Sequence, residues 1–134
     1  MRCIALLVGL VAPLAAQVAV VNHQVIKPSL NASRMSDMLL GRVTTWEDGS
    51  AVVLVLVDDP GADEHLQRLS GRPRERLLRA WKRLVFNGSG SMPLEATSVP
   101  AALELVARTP GAVALMASAV DDPRWQVFPL AEKP

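Results

Sequence analysis

Tyrosine is absent from this 134-residue chain, phenylalanine occurs twice, and the single cysteine stands at position 3. One thiol excludes a disulfide framework and a zinc site built from paired cysteines. Histidine is nearly as scarce: His23 and His65 lie far apart, and neither has a second histidine at helical spacing. A metal centre is therefore not expected, and His65, beside Asp63 and Glu64, reads as a surface residue. With 14 basic and 13 acidic residues the net charge is +1, so no global field draws in nucleic acid. Aromatics make up 4% of the chain, too few for the stacking platforms of a single-strand binder. There is no G-x-S-x-G nucleophile elbow and no P-loop. With no catalytic constellation visible, the chain is not expected to be an enzyme or to carry a cofactor. No apolar run reaches the roughly 20 residues that a bilayer-spanning helix requires.

What is present begins with MRCIALLVGLVAPLAA. Arg2 gives a positive start, Ile4 to Val11 an apolar stretch, Pro13 a break, and Leu14-Ala15-Ala16 a small-residue cleavage site. This is the pattern of a signal peptide. Residues 1–16 are expected to be removed on export, with Cys3 among them. Residues 17–134 are then expected to form a single periplasmic domain with no membrane span, large enough for one modest core.

Beyond that segment, strand and helix signals alternate. QVAVVN, ending at Asn22, is β-rich. Asn31 is placed to cap a helix carrying Met35, Met38 and Leu39 on one face, with Leu30 and Met35 as a hydrophobic staple and Gly41 as its stop. AVVLVLV, from Ala51 to Val57, is a continuous apolar run expected to be a strand buried on both faces. Asp59-Pro60 then reads as an N-cap followed by proline at the first helical position, with Gly71 closing that helix. The next helix, from about Pro73 to Phe86, has Leu77, Leu78, Trp81, Leu84 and Val85 on one face. NGSGSMP reads as its C-cap and a connector. Another helix is expected from near Ser98 to Arg108, then a buried strand over Ala112 to Ala117 and an edge strand over Trp125 to Phe128. Alternation of this kind predicts an α/β layered domain.

Three segments, in this order, resemble the substrate-binding protein of the phosphate ABC transporter and its short, single-lobe relatives. Met38-Leu39-Leu40-Gly41-Arg42-Val43-Thr44-Thr45-Trp46 is similar to that family's I-F-L-G-K-I-T-x-W segment. Trp81-Lys82-Arg83-Leu84-Val85-Phe86-Asn87-Gly88 resembles W-x-x-L-x-F-x-G, and Thr109-Pro110-Gly111-Ala112-Val113 resembles T-P-G-A-I. The resemblance implies one lobe of a type 2 periplasmic-binding-protein-like fold, with a mixed sheet of four to five strands flanked by helices. It also implies phosphate or another small anion as ligand and an envelope transport partner. A lone lobe offers one wall of a cleft, so self-association or pairing with another chain is a further expectation.

The chain departs from the family where the ligand would sit. The family presents a segment like R-S-D-x-S-G-T after the central strand; here the residues are Val57-Asp58-Asp59-Pro60-Gly61-Ala62-Asp63-Glu64. Asp59, Gly61 and Ala62 are the candidate ligand-binding residues, because a helix N-terminus offers free N–H groups and partial positive charge. Yet the loop has no arginine or hydroxyl, Pro60 lacks an N–H, and Asp59 supplies its own anion. Like charges ~4 Å apart repel by about 4 kcal/mol at an intermediate dielectric, so the acidic loop is expected to disfavour phosphate. Arg72, Arg76, Arg79 and Arg83 line the polar side of the Pro73–Phe86 helix as candidate partner-docking residues. They motivate an alternative function, an envelope scaffold or regulatory subunit that docks proteins and has lost its ligand.

Overall fold

The computed structural model describes residues 18–88, 90–117 and 125–130. The proposed signal segment lies outside them. The central apolar run forms strand β2, Val53–Val57, in a sheet that also holds β1, Val18–Asn22, and β4, Ala112–Met116. Successive strand residues point to opposite faces, and each of these strands divides its side chains between two cores. Ala19, Val21, Leu54, Leu56, Val113 and Leu115 belong to one cluster. Val18, Val20, Val55, Val57, Ala112, Ala114 and Met116 belong to the other. A strand buried on both faces has no need of polar alternation, which is why these sequences read as unbroken apolar runs.

The sheet is completed by β3, Leu94–Ala96, and β5, Trp125–Pro129, in the order β3-β2-β4-β1-β5. β2 runs parallel to β3 and β4, whereas β1 is antiparallel to both β4 and β5. The sheet is therefore mixed, with five strands, as the fold class expected. β3 has no counterpart in the sequence reading. It is three residues long, contains Glu95, and has two of its three residues exposed, so neither length nor alternation announces it.

Among the described residues four helices cover the sheet: α1, Ala32–Leu39; α2, Pro60–Ser70; α3, Arg74–Phe86; and α4, Val99–Arg108. Met35, Met38 and Leu39 of α1 share the first core with Leu77 and Trp81 of α3. Ala102 and Val106 of α4 fill the second, on the other side of the sheet. Local chemistry sets the ends. Asn31 Oδ1 accepts from the Arg34 N–H at 2.8 Å, and Gly41 leaves α1 with φ +78°. Buried Asn22 at the end of β1 donates through Nδ2 to the Val106 and Ala107 carbonyls, at 2.7 and 3.3 Å, and so satisfies the last turn of α4.

Tryptophan indoles tie distant segments together. Trp46 Nε1 donates to the Gly111 carbonyl at 2.9 Å, and Trp81 Nε1 to the Leu39 carbonyl at 2.7 Å. In the turn after Trp46, the Asp48 carboxylate accepts from the Ile26 N–H and from both the hydroxyl and the N–H of Ser50. These bonds, the Ile26 amide first, hold its pKa below the ordinary carboxylate value.

Candidate functional site

In an open α/β sheet the natural crevice lies beyond the carboxyl ends of the strands, where consecutive connections leave to opposite sides. Here that point is β2, which has β3 on one side and β4 on the other. The residues gathered there come from the turn after β2, the start of α2, the start of α3 and the end of β3.

The turn is pinned by the Asp58 N–H, which donates to the Ala96 carbonyl at 2.8 Å. Asp59 adopts extended backbone and caps α2: its Oδ2 accepts from the Ala62 N–H at 3.1 Å. The Asp63 N–H bonds to the Asp59 carbonyl at 2.9 Å. Since Pro60 has no N–H, Gly61 is left as the one amide of this turn that neither the ring nor Asp59 has taken. Its position is tight. A Cβ built on Gly61 would stand 2.9 Å from the Ala117 Cβ and 3.3 Å from the Asp59 carboxylate. Ala62 is buried. The three candidate ligand residues are thus together, but one is the helix's own cap and another has spent its amide on that cap. Asp59→Ala should cost about 1 kcal/mol and lower the melting temperature by roughly 4 °C. Asp59→Ser should melt near the parent, because serine keeps a capping oxygen. Equal melting of the parent and the alanine variant would remove Asp59 from this role.

The loop lacks an arginine in sequence, yet the fold supplies one from elsewhere. Arg74, at the start of α3, extends its guanidinium to the end of β2. Nη2 donates to the Val57 carbonyl and, at 2.6 Å, to Asp63 Oδ1, while Nε reaches the same oxygen at 3.1 Å. Nη1 lies 3.8 Å from Glu95 Oε1. The Arg74 side chain is 19% exposed, against 42% for Asp63 and 58% for Glu95. The cation is consequently drawn inward and covered by carboxylates. The space between Arg74, Asp63, Ala62 and the last residues of β2 is about 10 Å³, room for one water at most. Asp58, Glu64, Thr97 and Ser98 stand exposed nearby in sequence to these groups, and Ser98 is itself the cap of α4, accepting from the Ala101 N–H at 3.2 Å. The arrangement sets the Arg74 guanidinium against the first turn of α2, with Asp63 occupying its N–H groups.

Arg74 escaped the sequence reading although a signal was there. At 3.6 residues per turn it falls on the face of Leu77 and Trp81, an isolated cation on the apolar side of its helix. Arg76, Arg79 and Arg83 fall on the opposite side, whereas Arg72, read as part of that helix face, lies before its Pro73 N-cap; all four are exposed and have no part in the strand-end site. The reading of His65 as a surface residue is corrected: it is 8% exposed, with Arg68 Nη1 at 3.5 Å from its Nδ1. It lies one turn beyond Gly61 and Ala62, so helical spacing returns it to the packed side of α2. Among the described residues no group of three or more His, Cys, Asp and Glu converges on a metal position. Nor is any helix among them long and apolar enough to cross a membrane.

No protein-family signature matches the sequence, and no curated protein matches it. Solved structures do. One is the phosphate-bound structure of a protein assigned as a phosphate ABC transporter substrate-binding protein from Clostridium perfringens. It superposes with a TM-score of 0.62 at 15% identity, over 89% of this chain and 46% of that one. Another is an ABC-type phosphate transport receptor from Vibrio cholerae, with a TM-score of 0.54 at 15% identity, over 87% of this chain and 47% of that one. The chain spans less than half the length of either. It has the fold of one half of such a protein: a mixed five-stranded sheet between helices.

Proposed function

We propose that this chain is an exported binding or accessory lobe for a small anion of the phosphate type, whose strand-end site is held closed by its own carboxylates. The observation that carries the reading is Arg74, brought from α3 to the end of β2 and neutralised there by Asp63 and Glu95. An arginine beside a helix N-terminus is the chemistry that holds an oxyanion. A carboxylate already bonded to that arginine competes with any ligand for the same N–H groups. The parent protein should therefore bind phosphate weakly. Export rests on the charge and apolar pattern of residues 1–16.

Calorimetric titration with phosphate and sulfate tests the site. The parent is expected to show millimolar affinity or none. Asp63→Asn removes the competing charge and should raise phosphate affinity roughly tenfold, since a charge-assisted hydrogen bond is worth about 1.5–3 kcal/mol. The gain should shrink with added salt, because an exposed electrostatic attraction is screened. Adding Arg74→Gln to Asp63→Asn should abolish it. Micromolar binding by the parent would show that the carboxylates do not block the site. Unchanged affinity in Asp63→Asn would take Arg74 out of ligand binding.

A further inference from the structure

Helix α3 has a second charged face that the strand-end site does not use. Arg76, Arg79 and Arg83 recur three and four residues apart on α3, which stacks them in one row, and Arg72, in the turn before the Pro73 N-cap, lines the same groove. The helical part of the row, from Arg76 to Arg83, is roughly 10 Å long at 1.5 Å rise per residue. All four side chains are exposed, and together they line an open groove of about 340 Å³. Among the described residues none of the four has an acidic partner within ion-pair reach, whereas Arg34, Arg42, Arg68 and Arg74 each have one. Like charges three and four residues apart repel along a helix, so this row stands against its own repulsion with no internal relief. Phe86, 91% exposed, continues the same face one turn beyond Arg83.

We propose that this face docks an acidic polypeptide segment of a partner protein, its carboxylates seated between the guanidiniums and an apolar side chain covering Phe86. Guanidinium forks pair with carboxylates in two-pronged fashion, and a groove between them suits a narrow chain. A lipid surface fits less well: interfacial anchoring needs a broad apolar face beside the cations, and among the described residues Phe86 is the one large exposed apolar group on α3. The inference stands apart from the strand-end reading, because Arg74 points the other way.

The test uses a fluorescent peptide with glutamates at the same four-three-four spacing and a leucine three residues past the last. A glutamine version serves as control. Anisotropy should show binding of the glutamate peptide alone, weakening as salt shortens the Debye length from ~10 Å at 0.1 M. Changing Arg72, Arg76, Arg79 and Arg83 together to glutamine removes exposed, unpaired charges, three of them at helical positions that glutamine suits, so the fold should persist, as a melt would verify. If each exposed pair is worth about a factor of two, that variant should lose roughly tenfold or more in affinity. Phe86→Ser should lose a smaller factor, and Arg108→Gln, exposed on α4, should lose none. Retained binding by the four-arginine variant, or an equal loss in Arg108→Gln, would overturn the proposal. So would capture by anionic phosphatidylglycerol vesicles with no response to the peptide, which would make lipid the occupant. Self-association that disappears in the four-arginine variant, with no peptide binding, would overturn it in favour of a second copy.

Discussion

Replacing Gly111 with alanine is expected to destabilise the protein by about 3 kcal/mol or more and to lower its melting temperature by roughly 10 °C. Two effects coincide at this position. Its φ is +82°, a conformation that L side chains rarely adopt, and a Cβ there would stand 2.0 Å from the Ala51 carbonyl oxygen. That obstacle is backbone and is held from both sides. The Trp46 N–H bonds to the Ser50 carbonyl at 2.8 Å and the Val52 N–H to the Thr44 carbonyl at 2.9 Å. Gly111 cannot retreat either, because its own carbonyl accepts from Trp46 Nε1 at 2.9 Å and from the Val53 N–H at 3.0 Å. Relief of the clash must break one of these bonds. Gly49→Ala separates the two contributions. Its φ is +89°, yet a Cβ there would meet nothing within 4 Å. It should therefore show conformational strain alone, about 1–2 kcal/mol. Denaturant unfolding of both variants checks the difference. If Gly111→Ala costs no more than Gly49→Ala, the close approach to Ala51 has no energetic weight.

The same contacts explain what the sequence discloses and what it conceals. The segments that resemble the phosphate-binding family are those that hold this fold together. Trp46 and Gly111 come from two of them and bond to each other; Trp81 and Leu39 pair a third with the first. A Cβ at Gly41, in the first segment, would meet Leu84 Cδ1 of α3 at 2.5 Å. Such residues are constrained by packing and backbone geometry, so their spacing reports architecture. Capping is legible for a related reason. Asn31, Asp59 and Ser98 each bond to an amide three residues on, a local rule that needs no tertiary information. The strand-end site is different in kind. Arg74 meets Asp63 and Glu95 through long-range placement of three elements, and local pattern says nothing of which arginine crosses to which loop. The loop alone, with Asp58, Asp59 and Asp63, therefore reads as purely acidic, whereas in the fold it has a cation at its base. β3 is obscure because its place is set by β2 beside it; its own residues are mostly exposed.

Trp81 carries the second large effect. Trp81→Ala is expected to cost about 3–5 kcal/mol, the range for removing a large aromatic side chain from a packed core. The ring is 5% exposed and belongs to the cluster of Leu39, Met38 and Leu77. Its edges lie against both ends of the neighbouring backbone: Cβ positions built on Gly41 and Gly90 would stand 3.7 and 3.4 Å from its atoms. Nε1 also satisfies the Leu39 carbonyl in the last turn of α1, where intrahelical partners run out. Trp81→Phe divides these roles. Phenylalanine keeps much of the apolar contact and leaves that buried carbonyl without its donor, at a cost of about 1–3 kcal/mol. The expected order of stability is parent, then phenylalanine, then alanine. Both variants should also weaken the seating of α3 on α1, and with it hydrogen-exchange protection in the last turn of α1. A phenylalanine variant as stable as the parent would show that the indole bond adds nothing. One as unstable as the alanine variant would assign the whole effect to that bond and none to the buried ring.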